Sequence, residues 1–89
     1  MTYQFVRTSQ FERALKSFLK KHPELREIVL EKLTLLQNNP GDPRLKTHEL
    51  KGSLRGILAS SLTFDYRVVF SIEGDSICLL NIGSHDEVY

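Results

Sequence analysis

The sequence predicts an α+β fold in the order β-α-α-β-β-β, with an antiparallel sheet covered on one face by a helical hairpin. Three features of the 89 residues carry that prediction. Two apolar runs of helical period meet at Pro23, three strand-like runs fill the last third, and the links between those strands are too short for anything but antiparallel neighbours. Each helix has one apolar stripe, so the pair must lie together on one side of the sheet to bury both.

The elements follow in order. Tyr3 and Phe5 alternate with Thr2, Gln4 and Val6, the period-two signature of a first strand. Ser9-Gln10-Phe11-Glu12 has the S-x-x-E form of a capping box, and Phe11, Leu15, Phe18 and Leu19 continue it at helical spacing. His22-Pro23 interrupts this helix, and Pro23 suits the first position of the next, where Glu24 and Glu27 favour the positive end of the helix dipole. Leu25, Val29, Leu33 and Leu36 form the second stripe, joined by Ile28 and Leu35, until Asn38-Asn39-Pro40-Gly41 stops it. Residues 41–56, GDPRLKTHELKGSLRG, are poor in periodic apolar residues and read as an exposed functional loop. The strand runs are 57–62, 66–72 and 77–82, with Glu73-Gly74-Asp75-Ser76 as a hairpin turn between the last two.

Composition bounds the function. At 10.3 kDa, with 40% apolar and 26% charged residues, the chain reads as a single globular domain over 1–89 rather than a disordered tail. No apolar run approaches the roughly 18 residues of a membrane span, and the N-terminal residues lack a basic segment followed by an apolar one. A cytoplasmic protein with no membrane partner is therefore expected. One cysteine, Cys78, excludes an internal disulfide and reads as a small core residue. The net charge of +1 conceals an asymmetry: residues 1–55 hold eleven Lys/Arg against six Asp/Glu, and residues 56–89 hold Arg67 alone against five acids. A basic face for polyanions is one reading and a solvated helix surface the other.

Chemistry-bearing side chains gather around His48, around Arg67 and at His85-Asp86-Glu87-Val88-Tyr89. The ends of adjacent strands can bring these three clusters to one rim. Without further context His48 reads as an exposed loop histidine, Arg67 as one half of a cross-strand ion pair, and the last residues as a frayed tail.

The stretches His48-Glu49-Leu50-Lys51-Gly52-Ser53-Leu54-Arg55-Gly56, Asp65-Tyr66-Arg67-Val68-Val69-Phe70 and Ile82-Gly83-Ser84-His85-Asp86-Glu87-Val88-Tyr89 resemble the RelE/ParE superfamily of bacterial toxins. The likeness is greatest to its YafQ and YoeB branches and covers essentially the whole chain. It implies a RelE-like fold and the toxin of a type II toxin-antitoxin system. The implied activity is a ribosome-dependent mRNA endoribonuclease that needs no cofactor or metal. Its expected partners are a cognate antitoxin, the ribosome and mRNA, with operator DNA reached only through the antitoxin complex.

Metal-free RNA cleavage moves a 2′-hydroxyl onto the adjacent phosphate, so it needs a base, a cation for the phosphorane charge and an acid for the leaving 5′-oxygen. By resemblance His48 is the base, His85 the acid and Arg67 the cation, with the two histidine roles interchangeable. Tyr89 matches a terminal aromatic that stacks on a base or orders the site. Asp65 matches an acidic residue that orients a histidine. Lys46, Lys51 and Arg55 supply phosphate contacts. The chain departs from YafQ-like sequences at Ser61, where they carry a second histidine. Two other functions stand beside this one: a ParE-like inhibitor of DNA gyrase, which needs no acid/base set, and a catalytically inactive relative kept for antitoxin binding. The His85-x-x-x-Tyr89 terminus favours the enzyme.

Overall fold

The structure, a computed structural model, describes residues 2–50 and 56–84. A short strand β1 (Gln4–Arg7) leads into helices α1 (Ser9–Lys21) and α2 (Arg26–Asn38), followed by strands β2 (His48–Glu49), β3 (Leu58–Ser61), β4 (Tyr66–Glu73) and β5 (Ser76–Ser84). The sheet runs in the order β1-β5-β4-β3-β2. Strands β2 to β5 pair antiparallel as expected, whereas β1 lies parallel to β5 and makes the five-stranded sheet mixed. A parallel pair needs a long crossover, and here everything between β1 and β5 serves as one.

The start of α1 also differs from the expectation. Thr8, not Ser9, is the cap: its Oγ1 accepts from the Phe11 N–H at 3.1 Å and donates to the Leu79 carbonyl at 2.8 Å. That second bond to β5 decides the choice, since Ser9 has no strand beside it to share. Glu12 pairs instead with Arg7 at 3.3 Å. Pro23 opens a 3₁₀ turn (Pro23–Leu25), and α2 begins only at Arg26. The β4–β5 turn forms where the sequence places it, with Gly74 at φ 59°, a left-handed angle that glycine adopts without strain.

The core lies between the helices and one sheet face. Phe11 and Phe18 of α1 and Val29, Leu33 and Leu36 of α2 are buried with Val68 and Phe70 of β4 and Ile77, Leu79 and Ile82 of β5. Alternation along the strands sends the intervening residues to the opposite face. Ala59 and Val69 are buried there, outside the helix-side cluster. A register shift between Val69 and Phe70 leaves Leu80 as the extra residue of β5: Val69 faces Asn81 and Phe70 faces Leu79. Among the described residues no helix is long and apolar enough to cross a membrane.

Candidate functional site

The segment expected to be a loop is more built than its composition suggests. Asp42 caps a 3₁₀ turn (Pro43–Leu45) by accepting from the Arg44 N–H at 2.9 Å, and Leu45 inside that turn is fully buried. The Arg44 side chain binds the same carboxylate through Nε and Nη2, both at 3.0 Å. These side-chain bonds, then the backbone one, hold the Asp42 carboxyl below its ordinary range. A lowered carboxylate pKa means the contribution is present at neutral pH and is lost only as acid protonates the group through that lowered value. Lys46 then turns the chain at φ 50°, an uncommon angle for a residue with a Cβ, and β2 begins two residues later.

A buried hydroxyl relay pins β2 to the sheet. Thr47 Oγ1 donates to the Pro40 carbonyl at 2.7 Å, so its one proton is used, and the fully buried Ser60 must donate to Thr47 Oγ1 at 2.6 Å. Replacing Ser60 with alanine leaves that part-buried oxygen without its donor. The expected result is a loss of about 1–3 kcal/mol in urea unfolding, with faster amide exchange across His48 and Glu49.

On this platform His48 is exposed, and its Nδ1 lies 3.1 Å from the Lys46 carbonyl. A carbonyl only accepts, so Nδ1 carries the proton and the lone pair of the neutral ring sits on Nε2. His48 faces Ala59, Ala59 faces Val69, and Val69 faces Asn81 across four strands. One step along, Ser61, Arg67 and Gly83 form the next row on the same face. His48 and Arg67 are therefore offset by about 9.5 Å across the strands and about 7 Å along them. The buried Ala59 and Val69 lie between them on that face.

Arg67 does not pair with Asp65. Its Nη1 donates to the carbonyls of Thr63 (3.2 Å), Phe64 (3.1 Å) and Tyr66 (3.3 Å), which tilts the guanidinium toward the β3–β4 turn. Ser61 Oγ donates to the Thr63 carbonyl at 2.9 Å and supports the same turn. Asp65 is exposed in that turn and has no ion pair among the described residues. Lys46 is exposed and contributes its carbonyl to His48. Lys51, Arg55, His85 and Tyr89 lie outside the described residues. His22 is half-buried between Phe18 and Tyr66, its Nε2 3.2 Å from the Tyr66 hydroxyl. This is the structural role its position before Pro23 suggests.

Sequence reasoning missed Asn81, Thr47 and Ser60. Asn81 is a polar interruption in the apolar run of β5, a signal open to reading. The hydroxyl relay joins residues thirteen positions apart and has no local pattern. Among the described residues, no group of three or more His, Cys, Asp or Glu side chains is placed to hold a metal ion.

The chain is similar to known proteins over nearly its whole length. The chain covers 98% of its length, and 99% of the other's, on the metal-bound toxin from Helicobacter pylori at 26% identity and a TM-score of 0.76. It covers 100% of itself and 99% of YafQ in the DinJ-YafQ toxin-antitoxin complex from Escherichia coli, at 19% identity and a TM-score of 0.82. For the YoeB/ParE toxin from Agrobacterium tumefaciens the shares are 92% and 98%, at 17% identity and 0.78. No curated protein sequence matches the chain. The family model for YafQ, a bacterial toxin of type II toxin-antitoxin systems, matches residues 3–89, and the chain belongs to that family.

Proposed function

We propose that the protein is an mRNA endoribonuclease that cuts in the ribosomal A site, using its own acid and base groups, and is held inactive by a cognate antitoxin. The observation that carries the reading is the sheet face on which His48 and Arg67 sit one row apart, with Nδ1 of His48 engaged by the Lys46 carbonyl. Nε2 then takes the proton of a 2′-hydroxyl as its oxygen attacks the adjacent phosphorus. Arg67 stabilises the charge on the phosphorane oxygens. The bond to the 5′-oxygen breaks, and that oxygen takes a proton from the acid, for which the family resemblance supplies His85. The products are a 2′,3′-cyclic phosphate and a 5′-hydroxyl. Tyr89 and Asp65 are proposed as ordering groups, and Lys46, Lys51 and Arg55 as phosphate contacts.

The partner proposal rests on the family and on α1. The exposed Arg13 and Lys16 flank the half-buried Leu15 and Leu19 beside Glu12, which itself pairs with Arg7, and this partly basic groove suits an acidic amphipathic segment. The DinJ-YafQ complex is the corresponding assembly in a structural neighbour.

Mapping the 5′ ends of cellular mRNA after brief induction tests the activity. New ends in register with the reading frame are expected, and co-expression of the product of the adjacent reading frame should abolish them. Intact mRNA together with loss of gyrase supercoiling would move the assignment to a gyrase inhibitor. Intact mRNA with antitoxin binding alone would make the protein an inactive relative.

A further inference from the structure

We propose that Phe64 is a stacking platform for one unpaired nucleobase of the RNA whose phosphate Arg67 holds, an inference that rests on the endoribonuclease reading. Phe64 is 91% exposed, the most exposed of the large apolar side chains described. A loose loop would explain that trivially, but this turn is not loose. The Leu62 N–H donates to the Tyr66 carbonyl at 2.9 Å and the Thr63 N–H to the same oxygen at 3.4 Å. Ser61 Oγ donates to the Thr63 carbonyl, Arg67 Nη1 donates to the Thr63 and Phe64 carbonyls, and Leu62 at the root of the turn is buried. The ring is thus held out in water by a turn that several hydrogen bonds fix.

The same bonds tie the ring to the cation. Arg67 Nη1 lies 3.1 Å from the carbonyl of Phe64 itself, so guanidinium and phenyl ring are anchored to one peptide unit. A phosphate on the guanidinium places its own nucleotide's base about one side chain away, which is the spacing a single-stranded reader uses when cations track the backbone and aromatics take the bases.

A nucleobase fits this ring better than a protein pocket does. Anchor residues of protein interfaces sit inside a wider apolar surround. Phe64 sits between half-buried Thr63 and exposed Asp65, and among the described residues the other large exposed apolar ones, Val6 and Leu30, belong to β1 and α2. A base offers two flat apolar faces and polar edges, so it covers an isolated ring without burying polar neighbours. The Asp65 carboxylate accepts from N–H groups on such edges and repels phosphate, which leaves the phosphate to the Arg67 side.

The test uses the full-length protein and a 2′-O-methyl RNA tetranucleotide, which binds but is not cut. Phe64→Ala is expected to weaken binding about tenfold, and Phe64→Leu by a similar factor because it keeps apolar bulk without a ring. Phe64→Trp should retain affinity, and since the chain has no tryptophan, quenching of the new indole fluorescence reports the stack directly. An abasic tetranucleotide should bind the native protein and Phe64→Ala equally. The proposal is overturned if Phe64→Ala or Phe64→Leu binds RNA like the native protein, or if Phe64→Ala loses affinity for the antitoxin instead. Those outcomes leave the endoribonuclease reading intact. Absence of RNA binding by the native protein, with intact mRNA in cells, removes both.

Discussion

Replacing His48 with glutamine is expected to slow mRNA cleavage on programmed ribosomes by about 10²–10⁴-fold in a single turnover, the range a positioned general base supplies. Affinity for the ribosome should change little, because the amide keeps the size and hydrogen-bonding capacity of the ring while losing its basicity. The side chain is exposed, so the substitution should alter stability by less than about 0.5 kcal/mol. A melting curve that matches the native protein separates the chemical loss from unfolding. A variant that keeps the native rate would place the base elsewhere.

The reason His48 can be singled out lies partly in the sequence and partly outside it. The helical stripes, the turn at Gly74 and the order of the last three strands are local patterns, and the structure keeps all of them. What local pattern does not encode is partnership. β1 has four residues, and its parallel place on β5 depends on which sheet edge remains after β4 has paired. Thr8 outcompetes Ser9 as the helix cap because a strand carbonyl lies within its reach. Residues 41–50 look like a loop because their anchors are single: one buried leucine, one capping aspartate and one hydroxyl relay. The Nδ1 bond of His48 depends on the left-handed turn at Lys46, which no residue preference announces. The residue types of the candidate site are therefore legible in the sequence, and the geometry that puts His48 and Arg67 on one sheet face is not.

Arg67→Ala is the second large expected effect, a loss of about 10²–10³-fold in cleavage, as when one preorganised donor to a developing anion is removed. In the resting structure Nη1 shares its two hydrogens among three carbonyls, while the Nε and Nη2 edge makes no hydrogen bond among the described residues. That edge is the planar pair of donors a phosphate takes in bidentate fashion, and the bonds at Nη1 hold it at a fixed tilt. Removing the side chain deletes the phosphate contact and also frees three carbonyls at the surface, so stability must be read alongside rate. The salt dependence of RNA affinity separates the two effects. One lost phosphate contact on a single strand lowers the log–log slope by about 0.7, whereas a loosened turn alone leaves the slope unchanged. Arg67→Lys should restore most of the slope and only part of the rate, because it returns the charge without the fork. If Arg67→Lys instead restored the full rate, a point charge would suffice, and the tilt imposed by the turn carbonyls would have no part in catalysis.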